Sequence, residues 1–466
     1  MTQLEFDTAQ FQPQLVTLDG QTVRYQAACD IPYVAQPVDD IQQLNIFVPA
    51  AYFEGGTLNG YTAATAPIFM PNTVGGYMPG PRDYPGNQQQ PTNSKTLIQA
   101  LRRGYVVVSA GLRGWSQQNA AGDFIGKAPA FIVDMKAAIR YVKANQGRFP
   151  GNTDRIITNG TSAGGATSAL VGASGNAKFF EPALAKLGAA QATDDIFAVS
   201  AYCPIHNLEH ADMAYEWEFN GINDWHRYKM DFSGAQPKFT PWAGTLTAAQ
   251  QAQSAVLKAQ FATYLNSLQL TDTAGAQLTL DADGNGSFRE LVRQTVMASA
   301  QTALDQGVDI HKYAGFEVNA GRVTDLDLTA YFVSITRMKA VPAFDELDLS
   351  SPETKLFGDA QTPAKHFTTF ASEHSTVPAK LASYELVTNV NPVTYLLHDQ
   401  STRAKHWRVR HGAADRDTSF AIPLILVTLL QNRGLDVDFT LPWDTPHSGD
   451  YDLGELFTWI DQLCQP

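Results

Sequence analysis

Arg155-Ile156-Ile157-Thr158-Asn159 runs directly into Gly160-Thr161-Ser162-Ala163-Gly164-Gly165, and the rest of the chain is read outward from this stretch. The first part has the β-branched, apolar centre of a strand buried on both faces. The second part sets a serine between glycines two residues before it and two after. A serine on a sharp strand-to-helix turn needs small residues at both places, because the strained backbone leaves no room for side chains. Gly165, Ala166, Ser168 and Ala169 follow, and they let the next helix pack closely on a sheet. G-x-S-x-G is common by itself; a strand before it and a helix after it make it specific. A serine hydroxyl attacks only when a base removes its proton. Ser162 is therefore a candidate nucleophile that requires a base and an orienting acid elsewhere in the chain.

Upstream, strand-like and helix-like segments alternate. Gln43 to Val48 and Pro67 to Met70 read as strands. Asn93 and Ser94 offer a cap for a helix from Lys95 to Arg103, which Gly104 stops. Tyr105 to Ser109 is a further buried strand. Ala128 to Gln146 places Phe131, Met135, Ala138, Ile139 and Val142 at helical spacing. This alternation predicts a mostly parallel sheet covered by helices. It fades after Cys203, where long stretches rich in Ala and Gln carry Trp217, Trp225 and Trp242. It resumes with strand His406 to Arg410, helix Thr418 to Gln431, strand Leu435 to Leu441 and helix Asp452 to Leu463. The expected organisation is an α/β core formed by residues 1–203 and 391–466, split by an inserted cap, or lid, of residues 204–390. A chain of 466 residues is long enough for a core with a large insertion.

Composition excludes several partners. Asp and Glu outnumber Lys and Arg, 46 to 33, for a formal charge of -13. Such a surface repels phosphate backbones and anionic lipid, so no nucleic acid and no membrane partner is expected. The longest apolar run, Ala421 to Leu430, is well short of the roughly 20 residues that span a bilayer. Cys29, Cys203 and Cys464 are odd in number and match neither a zinc pattern nor a disulfide framework. Met1 to Asp7 shows no basic, apolar leader, and a cytoplasmic location is the expectation.

In a strand-embedded serine site of this type, the acid and then the histidine follow the serine in sequence. His447 follows the last expected strand, on the loop Pro442-Trp443-Asp444-Thr445-Pro446-His447-Ser448-Gly449. The acid belongs after the penultimate strand, where His411-Gly412-Ala413-Ala414-Asp415 stands. Asp415 would orient the imidazole and stabilise its cation. Asp417 is the rival; Asp415 is preferred because His-Gly-x-x-Asp is a recurrent acid turn in related hydrolases. His411 reads as a strand-end residue. Acyl transfer also needs two donors at the developing oxyanion. The backbone N–H of Ala163 is one. The second is expected from Asn72-Thr73-Val74-Gly75-Gly76-Tyr77, at Gly76 with Gly75 as its neighbour.

The Gly-Gly loop at 72–77, the Ser162 turn, Asp415-Arg416-Asp417 and the late His447 together resemble bacterial tannases. The resemblance extends over essentially the whole chain. It implies an α/β-hydrolase core with a large inserted cap and hydrolysis of galloyl esters and depsides. It also implies that Asp417, Lys339 and Glu353 hold the hydroxyls of a gallate ring, with Ile205 and Pro352 flanking the ring. Carboxylates accept from phenols and a lysine donates to them. A pocket pairing three hydroxyls would reject analogues that lack them.

No metal or organic cofactor is expected, and the partner is a small-molecule ester. Asp281-Ala282-Asp283-Gly284-Asn285-Gly286-Ser287 opens like a calcium loop, with Asp281, Asp283 and Asn285 as ligand candidates. Its twelfth position is Val292 where a bidentate glutamate is required, and Glu290 is two residues short, so a polar turn is the preferred reading. Three other functions share parts of the pattern. A feruloyl or general aromatic esterase keeps the mechanism. A prolyl-oligopeptidase-like peptidase shares His-Gly-x-x-Asp but needs propeller repeats, and none is visible. A non-catalytic polyphenol-binding protein would not need the complete set Ser162, Asp415 and His447.

Overall fold

Residues 4–231 and 238–465 are described by the structure, a computed structural model. Its strands are β1 (Gln12–Leu18), β2 (Gln21–Pro32), β3 (Gln43–Pro49), β4 (Pro67–Pro71), β5 (Val106–Ala110), β6 (Asn152–Thr161), β7 (Ala198–Tyr202), β8 (Asp224–Asp231), β9 (Lys238–Thr245), β10 (Phe316–Asn319), β11 (Arg322–Leu326), β12 (His406–Arg410) and β13 (Asp436–Thr440). Nine of them form one sheet in the order β1-β2-β3-β5-β4-β6-β7-β12-β13. From β5 to β13 every pair is parallel, while β1, β2 and β3 run antiparallel to their neighbours. This is the mostly parallel α/β sheet expected from the alternation.

The central strands are apolar along their whole length because both faces are covered. All of Val106–Ala110 and Ala198–Tyr202 is buried. Each such valine contributes about 1.5–3 kcal/mol relative to exposure. Helix Ala130–Ala144 packs beside helix Ala163–Ala173, and helix Pro91–Arg102 beside helix Leu453–Cys464. The run Ala421 to Leu430 is a fully buried helix segment. Among the described residues no helix is long and apolar enough to cross a membrane.

Two helix starts differ from expectation. The helix near residue 95 begins at Pro91, not at an Asn93 or Ser94 cap. Proline suits the first helical position because it lacks the N–H that would be unpaired there, and the Ser94 hydroxyl instead accepts from Gly86 N–H at 2.7 Å. The helix expected from Thr418 begins at Ala421. Before it, Ser419 Oγ and Phe420 N–H both donate to Glu218 at 2.8 Å, so a buried carboxylate of the insert serves as the cap. The β1–β2 hairpin is additional to the sequence reading. Its turn, Asp19-Gly20, has both φ angles positive, as a two-residue hairpin requires. β1 is largely exposed and so carries no apolar alternation to reveal it.

Among the described residues between β7 and β12 the main sheet gains no strand. This stretch holds the hairpins β8–β9 and β10–β11 and helices Leu208–Phe219, Ala248–Ser267, Ser287–Asp305 and Leu328–Ile335. Trp217 packs against Phe261, Phe288 and Phe332. This aromatic group belongs to the same buried cluster as the apolar residues of the sheet.

Candidate active site

Ser162 stands where β6 meets helix Ala163–Ala173, at φ 61° and ψ -123°. That conformation is costly for a residue with a side chain and persists only where its surroundings enforce it. They do so by close approach. A Cβ on Gly160 would lie 2.3 Å from the Gly164 carbonyl oxygen, and one on Gly164 would lie 2.7 Å from Asn72 Oδ1. Asn72, just beyond β4, donates to Gly164 O at 3.0 Å and Ser168 Oγ at 3.1 Å. Ser162 N–H donates to Tyr202 O on β7 at 3.0 Å, and Ile205 N–H donates to Ser162 O at 3.1 Å.

Asp415 and His447 meet beside this turn. His447 Nδ1 lies 2.8 Å from Asp415 Oδ2, and Asp417 N–H donates to Asp415 Oδ1 at 2.8 Å. Asp415 is fully buried. Burial alone would raise its carboxyl; the charge of His447 outweighs that and holds it below the usual range. Burial would lower His447, but Asp415 lifts it well above an ordinary imidazole. His447 Nε2 faces Cys203 Sγ at 3.9 Å. A Ser162–His447 hydrogen bond is not among those formed by the described residues; such contacts often tighten only with substrate bound. The loop carrying His447 is tethered at Asp452, which accepts from Tyr202 and pairs with Arg408. His411 is buried at the end of β12, with both ring nitrogens unpaired. Burial lowers its pKa, as fits a neutral strand-end residue.

Ala163 is the first residue of its helix, so its N–H has no intrahelical partner and lies at the positive end of the helix dipole. Gly76 and Tyr77 both have φ +54°, and the preceding Gly75 lines the same cavity as Ser162. Trp115 Nε1 donates to Gly76 O at 2.8 Å, and the Tyr77 hydroxyl donates to Ile205 O at 2.6 Å. Neither the Ala163 nor the Gly76 N–H is taken by an acceptor among the described residues. Two unengaged donors near a nucleophile suit an oxyanion.

The residues implied by resemblance also gather here. Lys339 Nζ donates to Asp417 Oδ1 at 2.8 Å, although 78 positions separate them. Burial would raise Asp417, but Lys339, His447 and the lysine hydrogen bond hold it at about 2. Glu353 is buried, and that burial raises it to about 7 despite the opposing charge of Lys339. Pro352 is exposed and stands beside Gly76, within 3.9 Å of where a Cβ would be. Ile205 is buried beside Ser162.

Tyr215, which the sequence reading did not single out, ties these parts together. Its hydroxyl donates to Arg416 O at 3.0 Å and accepts from Met338 N–H at 2.9 Å and Lys339 N–H at 3.1 Å. The insert segment bearing Lys339 is thus fastened to the turn bearing Asp415 and Asp417. Arg337, fully buried, pairs with Glu216 at 2.6 Å and donates to Lys339 O at 2.8 Å. In the loop at 281–287, Asp281 Oδ1 accepts from Asp283 and Asn285 N–H, each at 2.9 Å, which describes a polar turn before helix Ser287–Asp305.

The BD-FAE family matches residues 76–236. No curated protein sequence matches the chain. Among solved structures, tannase from Lactobacillus plantarum is 65% identical with a TM-score of 0.98, covering 99% of this chain and 100% of that one. A tannin acyl hydrolase in complex with ethyl gallate is 64% identical with a TM-score of 0.95, covering 99% of each chain. Fusobacterium nucleatum tannase is 44% identical with a TM-score of 0.94, again over 99% of each chain. With that identity carried over both the core and the insert, the chain belongs to the tannase family of α/β-hydrolases.

Proposed function

We propose that the protein hydrolyses galloyl ester and depside bonds, releasing gallate through a galloyl-Ser162 intermediate. Ser162 Oγ attacks the ester carbonyl while His447 Nε2 takes its proton. The N–H groups of Ala163 and Gly76 receive the oxyanion. The carbon–oxygen bond to the alcohol then breaks, and His447 returns the proton to the leaving oxygen. Water, deprotonated by the same imidazole, attacks the acyl-serine, and Ser162 leaves with the proton. Asp415 keeps the imidazole oriented and stabilises its cation. These groups complete the cycle without a cofactor.

The observation that carries the galloyl reading is the Lys339–Asp417 pair, two residues from the acid that holds His447. With Glu353 it offers one charged donor and two carboxyl acceptors to ring hydroxyls. Relatives solved with ethyl gallate and with 3,4-dihydroxybenzoate fit the same reading. We divide the chain at residues 204 and 390, since every described strand outside the main sheet lies between them. Three cysteines without a disulfide fit a cytoplasmic placement. The test is gallate release from methyl gallate, with methyl ferulate alongside. Wild type should favour the gallate, and Ser162→Ala should lose activity on both. Equal rates for wild type and Ser162→Ala, or faster turnover of the ferulate, overturn the proposal.

A further inference from the structure

Gly76 and Tyr77 stand side by side at positive φ, a conformation that is costly for a tyrosine and persists only where its surroundings enforce it. The carbonyls of both residues accept from one side chain's residue. Trp115 Nε1 donates to Gly76 O at 2.8 Å, and the Trp115 backbone N–H donates to Tyr77 O at 3.1 Å. The peptide before Gly76 is held separately, by Met78 N–H donating to Gly75 O at 3.0 Å. The direction of the Gly76 N–H is thus set from both sides, by the turn through Met78 and by Trp115.

Trp115 is itself braced. It follows β5 on the stretch Gly111-Leu112-Arg113-Gly114. Arg113 N–H and Nε each donate to Asp134 Oδ2 at 2.9 Å, and Nη2 donates to Oδ1 at 2.8 Å. Asp134 is fully buried on helix Ala130–Ala144. Leu112 and Gly80 exchange backbone hydrogen bonds at 2.8 and 3.0 Å. A Cβ on Gly114 would lie 2.1 Å from Pro79 N, so glycine is what lets this stretch lie against the loop after β4. Two cations lie over the indole: Lys355 Nζ is 5.0 Å from the ring centroid and Lys127 Nζ is 5.7 Å from it. Such contacts are attractive. Lys355 belongs to helix Pro352–Leu356, which also carries Glu353. The indole therefore joins the Gly76 loop to the helix of Glu353.

We infer that Trp115 is a positioning residue for acyl transfer: its indole N–H keeps the Gly76 peptide turned so that the Gly76 N–H meets the oxyanion. Its single ring N–H is taken by Gly76 O, so it acts through the loop and not on the ester. The inference rests on the assignment of Gly76 as an oxyanion donor in the mechanism above. The oxyanion develops in the transition state, so a displaced donor lowers kcat and leaves ground-state binding unchanged.

The experiment measures kcat and KM for methyl gallate, and the rate at which a fluorophosphonate labels Ser162, in wild type, Trp115→Phe and Trp115→His. The fluorophosphonate carries no gallate ring but draws on the same oxyanion donors. Phenylalanine keeps an aromatic face for the two lysines and loses the N–H. Histidine restores a ring N–H, because its Nε2, like the indole Nε1, is two bonds from Cγ. In Trp115→Phe kcat should fall about 10- to 100-fold with KM within about twofold of wild type, and labelling should slow to a similar extent. Trp115→His should recover part of both losses. If circular dichroism shows that Trp115→Phe does not fold, Trp115→Met, which fills the site without a donor, takes its place. An unchanged kcat, a raised KM alone, unslowed labelling, or equal losses in the histidine and phenylalanine variants overturn the role of Trp115 and leave the serine mechanism standing. A wild type that neither cleaves methyl gallate nor takes up the label defeats that mechanism instead.

Discussion

Replacing Glu353 by glutamine should stabilise the protein at alkaline pH while weakening it as an esterase. Glu353 is 8% exposed, on the short helix Pro352–Leu356. Burial raises its carboxyl from 4.5 to about 7, with Asp417 and Glu346 adding to the effect and Lys339 opposing it. Below pH 4.5 the group is protonated in both folded and unfolded chains and contributes nothing to the pH dependence. As pH rises from 4.5 to 7 the unfolded chain ionises first, so the folded state binds more protons and stability falls. At about 1.4 kcal/mol per pH unit the total loss is about 3.5 kcal/mol, the size of a strong point mutation. Glutamine has nearly the same shape and does not ionise. The gap in unfolding free energy between Glu353→Gln and wild type should therefore move in favour of the variant by about 2–3 kcal/mol between pH 5 and pH 8. Taking the difference cancels the other buried acids, Asp212 and Glu218 among them, which burial also raises, each to about 8. Urea unfolding followed by tryptophan fluorescence at the two pH values measures it. A gap that stays constant would refute the reasoning, because it would mean Glu353 ionises at its ordinary value. On methyl gallate the variant should lose about tenfold in kcat/KM, since one carboxyl acceptor for a ring hydroxyl is gone.

Three further outcomes follow from the site. Asp415→Asn should lower kcat on methyl gallate by about 10⁴-fold through loss of imidazole orientation; because Asp415 lifts His447 above its usual range, the rising limb of the kcat/KM–pH profile should lie above pH 6.5 in wild type and shift lower in the variant, and coincident limbs would contradict the pairing. Tyr215→Phe leaves the N–H groups of Met338 and Lys339 without their acceptor, at about 1–3 kcal/mol; steady-state kinetics should show a raised KM for methyl gallate with a smaller change in kcat, and an unchanged KM would remove Tyr215 as a positioning residue. Gly160→Ala places a methyl group 2.3 Å from the Gly164 oxygen and should not yield a soluble, folded enzyme; a variant with the wild-type melting profile by circular dichroism would show that the turn is looser than the geometry implies.

The strands at the centre of the sheet are legible in sequence because burial on both faces forces continuous apolar runs, as in Val106-Val107-Val108. β1 is not legible, because it buries almost nothing and its pairing is carried by backbone hydrogen bonds. The cap of helix Ala421–Asn432 is hidden for another reason: Glu218 lies 201 residues from Ser419. Cys203 beside His447 and Tyr215 beneath Lys339 have no local pattern at all.

By itself the sequence singled out Ser162 as the candidate nucleophile and ranked Asp415 and His447 as its candidate partners. Gly160 and Gly164 are required by sterics within a few residues of Ser162, and Asp415 and His447 sit at strand ends that chain order can rank. Tertiary structure alone decided that Asp415 rather than Asp417 meets His447, since both stand on one turn and only the direction of each side chain separates them. It also brought Lys339 to Asp417 across 78 positions. Lys339, Glu353 and Asp417 come from separate parts of the chain, and a solvated charge reads the same in sequence as a buried one. Burial and pairing distinguish them, and both are properties of the folded chain.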